Sequence, residues 1–414
     1  MSIHRLNSVG VIGAGSTGLA VAWYLQRAGV EVQVLDRAGV AGGSSRGNAG
    51  WLTPALAGPL PEPAILRYGL RALVSPRSPL HVSPRPSRRL ATFLTRFARN
   101  ATTERWTTSM RHLASINALA FDAFDELEDH GVKVGAAAVD ILAVARADHE
   151  LEHLADEIEY AIGLGLSADL RRLSADQARA KEPGLSEQIG SGLLLSGQRA
   201  FNPGAFCEEL ASDFRTRGGS VLAGVNVVSV RDTGDEVQVR DHKGTRWSFD
   251  AVVVATGAWL NDLVRQFGVD VPVQSGRGYS FTLAGQPAVS MPVYLPAERV
   301  VCTPLANGTR VAGTMELGSP DAPFRPSRIR QIADSVEPFL RDRVTDTVDQ
   351  WCGSRPCSAD GLPLVGRTDS PRVFVHGGHG MWGMTQGPAT ARLLADEILG
   401  RGSSELLRPL DPRR

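Results

Sequence analysis

The chain sets one arginine, Arg355, between two cysteines in the stretch WCGSRPCSADGLPLVG, which runs from Trp351 to Gly366. Paired cysteines can bind a metal or exchange electrons, whereas an arginine can grip a carboxylate through two parallel hydrogen bonds. Cys352 and Cys357 have no histidine or cysteine at a metal-binding spacing, so we expect no metal site. An arginine without further context is most often part of an ion pair, so its chemistry depends on the rest of the chain.

A second candidate for chemistry is the glycine-rich stretch near the N-terminus. Gly13, Gly15 and Gly18 follow the apolar run Val9–Ile12 in Gly-x-Gly-x-x-Gly spacing. In this pattern the first glycine permits a tight turn, the second lets a pyrophosphate approach the backbone, and the third lets helix and strand pack closely. Asp36 ends the next apolar run at the distance expected for a carboxylate that accepts hydrogen bonds from a ribose. The stretch predicts dinucleotide binding.

The elements that must position these residues form a strand, a helix and a second strand. The pattern predicts a buried strand over Val9–Ile12, a helix over Leu19–Ala28 and a strand over Val30–Leu35. Ala251–Ala255 is a further buried strand, and it ends in an Ala-Thr-Gly turn with Thr256 and Gly257. A second glycine-rich turn, GGHGMWGMT, lies near the C-terminus. These two later turns favour FAD over NAD.

Several ordered blocks resemble the D-amino acid oxidase superfamily of FAD-dependent oxidoreductases, and among its branches the bacterial D-amino acid dehydrogenases. The blocks are the N-terminal unit, SSRGNAGWLTP at 44–54, FNPGAF at 201–206, GVNVVSV at 224–230, ATGAW at 255–259, SGRGYSF at 275–281, RVAGTMELG at 310–318, GSRPCSADGLPLVG at 353–366 and GGHGMWGMTQGPATARLLADEI at 377–398. The resemblance covers nearly the whole chain. It implies an α/β protein with a discontinuous Rossmann-like FAD-binding domain and a mixed-sheet α+β substrate domain.

The resemblance implies specific contacts with non-covalent FAD. The serines at 44 and 45 would contact the flavin phosphate and ribityl chain, the segment 48–50 would run beside the isoalloxazine, Val227 would meet the adenine, and the turn 380–384 would face the N1–C2=O edge of the flavin. Reduced flavin is negative at that edge, and a helix N-terminus stabilises an anion. The expected cofactor-binding residues are Gly13, Gly15, Gly18, Asp36, Arg37, Ser44, Ser45, Asn48, Ala49, Gly50, Val227, Thr256, Gly257, Gly380, Gly383 and Met384.

The resemblance also gives Arg355 a role. It matches the arginine of a Gly-x-Arg-Pro motif that binds the substrate carboxylate in the family, and Tyr279 would donate its hydroxyl to the same carboxylate. Met381 and Trp382 would narrow the pocket and make it apolar, or else point into the domain interface. For His379 a structural hydrogen bond and a base role stay open, as do substrate contact and a solvated position for Arg277. A covalent link between flavin and Cys352 is a further alternative.

The implied reaction is the oxidation of the amine of a small amino or imino acid by hydride transfer to flavin N5. The imine then hydrolyses to a keto acid. Positioning is the protein's main contribution, because this transfer requires no side-chain base on the carbon. The alternatives are a tailoring oxidase of the same fold that acts on a bulkier amine, and a nucleotide-binding or membrane-docking module without turnover. The electron acceptor, whether quinone, carrier protein or oxygen, stays open.

The order of the blocks predicts domains that alternate along the chain. We expect FAD-binding segments at 1–58, 201–269 and 351–414, and substrate-domain segments at 59–200 and 270–350. Strands are expected over Val139–Arg146 and Ser191–Leu195, and one long helix over Ala114–Leu127. The basic insertion 60–112 contains two amphipathic pieces, AILRYGLRALV and LATFLTRFARN. Such pieces either pack over the substrate domain or lie on an anionic membrane.

Composition sets limits on function and location. The 414 residues carry 44 basic and 44 acidic side chains, so the net charge of zero gives no indication of nucleic acid binding. No apolar run approaches the roughly 20 residues of a membrane span. No signal peptide is recognised before the first strand. We therefore expect a cytoplasmic protein with reduced thiols, with peripheral contact at the inner face of the membrane as an open alternative.

Overall fold

The computed structural model describes residues 6–65, 78–83, 87–402 and 404–414. Strands of the described residues are β1 Ser8–Ile12, β2 Glu31–Asp36, β3 Trp51–Leu52, β4 Leu80–Val82, β5 Ala137–Ala145, β6 Asp169–Ser174, β7 Ser191–Ala200, β8 Ser220–Ala223, β9 Val227–Asp232, β10 Val237–Asp241, β11 Arg246–Phe249, β12 Ala251–Val254, β13 Val273–Ala284, β14 Val293–Leu295, β15 Val300–Leu305, β16 Gly308–Gly318, β17 Thr347–Ser358, β18 Leu364–Arg367 and β19 Val373–Gly377. Helices are α1 Ser16–Arg27, α2 Arg88–Asn100, α3 Thr103–Asn117, α4 Ala120–Asp129, α5 Glu152–Gly163, α6 Ala175–Lys181, α7 Pro203–Thr216, α8 Leu260–Val264, α9 Pro326–Val336 and α10 Gly383–Ile398.

One sheet is built around the N-terminal strand. Its order is β18-β19-β12-β1-β2-β8, and β1 pairs in parallel with both β12 and β2. The apolar runs at β1 and β12 are buried on both faces, as parallel strands covered by helices require, whereas β2 alternates, with Glu31 exposed and Gln33 half-buried. The predicted strand, turn, helix and second strand at the N-terminus are confirmed, and the turn lies at the carboxyl ends of β1 and β2, where α/β proteins bind ligands.

The second large sheet is mixed. Its order is β17-β13-β16-β15-β14-β5-β7-β3, with β4 paired to β16 and β6 paired to β7. Strand β13 lies between β17 and β16 and is antiparallel to both. Together the two sheets confirm the expected fold class, a Rossmann-like part and a mixed-sheet part that alternate along the chain.

The expected domain boundaries stay a prediction, and two strands of the mixed sheet do not follow them. Trp51–Leu52 pairs with β7 of the mixed sheet although the boundary is drawn after residue 58. Strand Thr347–Ser358 pairs along its length with β13 although the boundary is drawn after residue 350. The mixed sheet therefore takes residues from segments that sequence blocks assigned to FAD binding.

The helix predicted over Ala114–Leu127 is wrong in its bounds, because the chain forms two helices there. Helix α3 ends at Asn117 and α4 begins at Ala120. The amide of Asn117 is buried and donates to the carbonyls of Pro54 at 3.0 Å and Ala57 at 2.7 Å. This tertiary anchor fixes the end of α3, and a helical periodicity cannot reveal it.

The basic insertion packs in part against the mixed sheet. Leu90 and Phe93 of α2 are buried in a cluster with Leu317 of β16. Arg89 donates to the carbonyls of Ala258 and Val273, at 3.0 and 2.9 Å. The amphipathic piece at 64–74 lies outside the described residues except for its first two. In the part of the chain that is described, no helix combines the length and apolarity needed to cross a membrane.

Candidate active site

A cavity of about 430 Å³ lies at the carboxyl ends of the parallel strands. We call it the first cavity. Most residues expected to bind the cofactor line it, and they come from the glycine turn, the loop after β2, the start of β9, the turn after β12 and the start of α10. These residues are Gly13, Gly15, Asp36, Arg37, Ser44, Ser45, Asn48, Val227, Thr256, Gly257, Gly380, Gly383 and Met384.

The N-terminal glycines differ in what they permit. Gly13 has a φ of +117°, and a Cβ there would lie 2.4 Å from the carbonyl oxygen of Ala255. A Cβ at Gly18 would lie 1.9 Å from the carbonyl oxygen of Gly13, so this glycine lets α1 pack on the turn. Gly15 lines the cavity, and the nearest atom to its Cβ position is the Ser45 Oγ at 3.3 Å. Each glycine therefore stands where its expected task requires it.

Two helix N-termini open into the first cavity. Helix α1 begins at Ser16 and α10 begins at Gly383, and both residues line it. Free backbone N–H groups and the helix dipole favour negatively charged groups at such ends. The Ser45 Oγ accepts from the Ser16 N–H at 3.1 Å, which ties the loop after β2 to the start of α1. The cavity thus receives anion-binding groups from α1, early in the chain, and from α10, late in the chain.

The donors and acceptors of the first cavity fit a dinucleotide with a flavin. The carboxylate of Asp36 accepts from the N–H groups of Ala14 and Ala38, both at 2.7 Å, and it lines the cavity, where its remaining lone pairs can accept from ribose. The Thr256 Oγ1 is buried without a hydrogen-bond partner among the described residues. Polar groups at such a site are left for a ligand.

Three expected cofactor residues do not line the first cavity. Gly18 acts through packing, as described above. Ala49 lines the neighbouring cavity instead, and its carbonyl accepts from Thr303 at 3.0 Å. Gly50 lines neither cavity: its φ is +78°, and a Cβ there would lie 2.0 Å from the carbonyl oxygen of Phe201. The expected contact of Ala49 and Gly50 with the flavin stays a prediction, and the structure gives Gly50 a role in the turn before β3.

Sequence reasoning missed other residues of the first cavity. Most are neighbours of motif residues, so a wider window around each motif would have included them. These residues are Ile12, Ser16, Thr17, Leu35, Ala38, Gly42, Gly43, Val225, Asn226, Val228, Ala255, Trp259, Asp262, Leu263, Ser354, Pro356 and Gly377.

A second cavity of about 260 Å³ adjoins the first. Four residues line both cavities, namely Ser44, Asn48, Arg355 and Met381. Trp51, Trp351 and Trp382 give the second cavity an aromatic lining. The Trp382 Nε1 donates to the carbonyl of Gly58 at 2.7 Å, which fixes the ring. Of the two expectations for Met381 and Trp382, their positions favour the narrow, apolar pocket.

Arg355 lies where the two cavities meet. Its Nη1 donates to the carbonyl of Thr314 at 2.9 Å. Burial holds the pKa of Arg355 below its usual value, although an arginine stays protonated in proteins. No carboxylate of the described residues lies within ion-pair distance of its guanidinium, unlike the guanidinium groups of many other arginines here. The charge and most of its N–H groups are therefore available to an anionic ligand.

Tyr279 is not brought to Arg355, which corrects its expected role. Its hydroxyl donates to the Glu316 Oε2 at 3.0 Å, its ring is buried, and it lines neither cavity. Burial raises the pKa of the hydroxyl, and so does the neighbouring Glu316. Arg277 lies on the same side, with Nη1 at 3.7 Å from Glu316 and Nη2 donating to Pro323 at 2.9 Å. Arg277 is buried, so neither a solvated position nor a cavity contact describes it.

The two histidines near the first cavity form a hydrogen-bonded chain. The Nδ1 of His376 is 3.0 Å from the carbonyl of Thr17, so it must donate and carries the proton of a neutral ring. Its Nε2 then accepts from the Thr390 hydroxyl at 2.9 Å, and that oxygen accepts from the His379 Nε2 at 3.0 Å. Burial lowers the pKa of His376 to about 4 and that of His379 well below its usual value. The arrangement favours a structural hydrogen bond for His379.

A cluster of charged residues at the second cavity was not predicted from the sequence. Glu62 lies 2.9 Å from the His153 Nε2 and 3.4 Å from the Arg299 Nη2, and Glu157 lies 3.5 Å from His153. The ligand atoms of Glu62, His153 and Glu157 lie within 4.8 Å of one another, a spacing that can hold a metal, but the positive charge of Arg299 opposes a cation there. The residues come from three distant segments without a motif.

The cysteines remain free thiols, and Cys352 lines neither cavity. Cys352 pairs across the sheet with Tyr279, on the face away from Arg355. Burial raises the pKa of the Cys357 thiol to about 11 and also raises that of Cys352. Buried, protonated thiols are poor nucleophiles. This placement gives no support to a covalent link between Cys352 and flavin.

Comparisons with known proteins agree with the expected family, fold and cofactor. The family model described as FAD dependent oxidoreductase matches residues 8–397. A D-amino acid dehydrogenase of Methylobacterium radiotolerans is 31% identical over 94% of this chain and 95% of its own, and one of Cereibacter sphaeroides is 32% identical over 94% and 91%. The glycine oxidase of Geobacillus kaustophilus has the same fold, with a TM-score of 0.74 at 20% identity over 99% of both chains.

Proposed function

The chain belongs to the FAD dependent oxidoreductase family and is an enzyme that oxidises amino acids with FAD, and we propose that Arg355 binds the carboxylate of its substrate. Bound FAD supplies the two-electron acceptor for oxidation of the substrate amine, and the residues of the first cavity hold it. The resulting imine hydrolyses to a keto acid and ammonia. The relatives named above make a D-amino acid the first substrate class to test.

The observation that carries this proposal is the unpaired charge of Arg355 at the junction of the two cavities. A guanidinium can bind a carboxylate through two parallel hydrogen bonds, which orients the ligand as well as holding it. From the junction, a bound amino acid reaches the cofactor on one side while its side chain extends into the second cavity. Positioning of this kind accounts for a large part of enzymatic rate.

The size of the second cavity favours a small substrate. Its volume of about 260 Å³ lies below the roughly 300–1,000 Å³ of typical ligand sites. Trp51, Trp351 and Trp382 limit how it can widen. A compact amino or imino acid therefore suits it better than the bulkier amine of a tailoring oxidase.

The test of the proposal is the variant Arg355→Ala in the FAD-loaded enzyme. We expect KM for the preferred amino acid to rise by about 100-fold or more, because a lost charge-assisted pair at a buried site costs several kcal/mol. FAD content, measured from flavin absorbance per protein, should stay unchanged. Arg240→Ala, which removes an exposed arginine of β10, is the matched control. Unchanged KM in Arg355→Ala would refute the carboxylate assignment.

Substrate and electron acceptor can be identified together. An anaerobic flavin-reduction screen over D-amino, L-amino and imino acids reads out the substrate from bleaching of the flavin. Reoxidation of the reduced enzyme by oxygen, by a quinone and by a carrier-type dye then ranks the acceptors. Failure of every amino acid to bleach the flavin, with bleaching by a bulky amine, would support the tailoring oxidase instead.

For location, we propose a cytoplasmic protein, with membrane contact through 60–112 as the alternative. The four free thiols support a reducing compartment. The apolar face of α2 packs on β16, which favours internal packing over membrane contact for that helix. Co-sedimentation with anionic vesicles at low and high salt distinguishes the two, since peripheral basic contacts weaken with salt.

A further inference from the structure

The side chain of Arg355 crosses a neighbouring strand to reach its hydrogen-bond partner. Arg355 lies on β17 directly opposite Gly276 of β13. Its guanidinium donates to the carbonyl of Thr314, which lies on β16, on the far side of β13. Neighbouring strands are about 4.8 Å apart, so an extended arginine spans the two spacings only by lying close over the middle strand.

The crossing point is Gly278. A Cβ built there would lie 2.2 Å from the Arg355 Cζ, 2.2 Å from Nη2 and 2.5 Å from Nη1. These three guanidinium atoms are also the nearest atoms to that position. The backbone of Gly278 has no left-handed conformation that would call for glycine, so the requirement is for space alone. Because Gly278 has no side chain, the guanidinium lies directly against its backbone.

The partner carbonyl is presented by an irregularity in the next strand. Arg277 pairs with Glu316 and Tyr279 pairs with Gly313, so two residues of β16, Thr314 and Met315, stand opposite Gly278. Thr314 has a φ of +57°, which is rare for a β-branched residue and typical of a bulge. Bulges next to active sites often redirect a group, and here the redirected group is the carbonyl that accepts from Arg355.

We propose that Gly278 is a positioning residue for the substrate carboxylate. Its bare backbone lets the Arg355 guanidinium lie flat across β13, with one edge held by the Thr314 carbonyl and the remaining N–H groups directed into the junction of the cavities. This inference rests on the proposed function, because it takes the carboxylate as the ligand of Arg355. In the Arg-Gly-Tyr sequence at 277–279, the residue that supports carboxylate binding is therefore the glycine and not the tyrosine.

The alternative for Gly278 is a purely structural role, in which any methyl on β13 would disturb the sheet. The two roles predict different results when a methyl group is added at Gly278 in a protein that lacks the Arg355 side chain. A positioning glycine matters only while the guanidinium occupies the space above it. A structural glycine matters equally when the guanidinium is removed.

The experiment is a double-mutant cycle of Gly278→Ala and Arg355→Ala in the FAD-loaded enzyme. We expect Gly278→Ala to weaken benzoate binding, measured by perturbation of the flavin spectrum, by about tenfold or more, and to raise KM with a smaller change in kcat. In the Arg355→Ala background the same methyl should change kcat/KM by less than about twofold. Gly276→Ala is the matched control, because its methyl would first meet the sulfur atoms of Cys357 and Met315.

Each outcome bears on the inference. Unchanged benzoate affinity in a folded Gly278→Ala would overturn it, as would an equal loss in Gly276→Ala or an additive loss in the double variant. If Gly278→Ala does not fold, recovery of folding and FAD binding in the double variant supports the inference, and failure to recover overturns it. Normal benzoate binding by Arg355→Ala would instead refute the proposed function, so the two failures are distinguishable.

Discussion

The two cavities meet at Arg355, yet they are built from different parts of the polypeptide. The first is lined by glycines at turns and by two helix N-termini that supply N–H groups, together with side chains such as that of Asp36. The second is lined by large side chains, among them three tryptophans, and by the charged residues Glu62, Glu157 and Arg299. A backbone donor is lost only when proline replaces its residue, whereas a side-chain contact is lost with any truncation of that side chain. We therefore expect cofactor binding to be spread over many groups and substrate binding to depend on few.

This difference predicts which substitutions matter in each cavity. In the first, a residue is sensitive when added atoms would displace the backbone. In the second, a residue is sensitive when its charge or ring is removed. The following predictions test that contrast, in addition to the variants of Arg355 and Gly278 described above.

The largest effect is expected for Gly18→Ala, because Gly18 lies beside the first cavity and packs α1 against the glycine turn that lines it. Its methyl would lie 1.9 Å from the carbonyl oxygen of Gly13. This oxygen belongs to the backbone, so it cannot move aside as the end of a flexible side chain can. We expect FAD affinity to fall by 100-fold or more, measured by fluorescence titration of the apoprotein. Gly163→Ala near the end of α5, where a Cβ meets nothing within 4 Å, is the control. Normal FAD affinity in Gly18→Ala would contradict the backbone basis of the first cavity.

The same difference explains how far the sequence predicts the site. Residues of the first cavity lie in contiguous motifs whose spacing reflects local backbone geometry, so glycines such as Gly13 and Gly15 were found by pattern. Glu62 lies in the segment after β3, Glu157 lies on α5, and Arg299 lies between β14 and β15, so only tertiary packing brings the three together. No local spacing encodes that contact, and none of the three was predicted.

The error at Tyr279 has a specific physical cause. Directly opposed residues of antiparallel strands point to the same face, so the pairing of Arg355 with Gly276 puts Gly278 on the face of the arginine and Tyr279 on the other. A shift of one residue in register would reverse this. Register depends on the partner strand, and the motif that contains Tyr279 does not reveal it.

A smaller effect is expected from Glu157 in the second cavity, and it depends on pH. Burial raises the pKa of Glu157 to about 8, as does the hydrogen bond with Glu62. The folded protein thus keeps a proton that the unfolded chain loses near its ordinary pKa of 4.5. This group favours folding below that pH, and its contribution is lost as the pH rises towards 8. The pKa of His153 is also raised, chiefly by its hydrogen bond with Glu62, which gives a loss in the same direction.

The measurement compares Glu157→Gln with the wild type by thermal unfolding between pH 5.5 and 8.5. Glutamine is neutral at every pH, so we expect the Tm of the variant relative to the wild type to rise by about 1–3 °C across this range. Glu159→Gln, an exposed residue of the same helix, should show a constant difference. A constant difference for Glu157→Gln as well would mean that this carboxyl titrates normally. Burial would raise the pKa of Glu62, but hydrogen bonds with His153 and Glu157 outweigh burial and lower this pKa to about 2. Glu62 therefore does not titrate between pH 5.5 and 8.5.

The smallest effect is expected at the edge of the first cavity, where side chains and not backbone make the contact. The guanidinium of Arg37 lies 3.7 Å from the ring centroid of Trp259, and the Trp259 Nε1 donates to both carboxylate oxygens of Asp321 at 3.1 Å. Arg37 and Trp259 line the cavity, whereas Asp321 follows β16 of the mixed sheet. The three residues therefore link the two sheets beside the cofactor.

Asp321→Asn removes the charge of this link and keeps its shape. Arg37 and Asp321 also form an ion pair, with the Arg37 Nη1 3.4 Å from the Asp321 Oδ1. Both side chains are well exposed, 44% for Arg37 and 63% for Asp321, and ion pairs of this kind contribute about 0–1 kcal/mol. We expect FAD to dissociate about two- to fivefold faster at low salt, followed by stopped-flow fluorescence, with no difference from the wild type in molar salt because exposed charges are screened. Asp334→Asn, exposed on α9, is the control. Faster FAD dissociation that persists in molar salt would instead assign the retention of FAD to the cation–π contact of Arg37 with Trp259. A loss of FAD binding as large as that of Gly18→Ala would contradict the contrast between the glycine turns of the first cavity and the side chains at its edge.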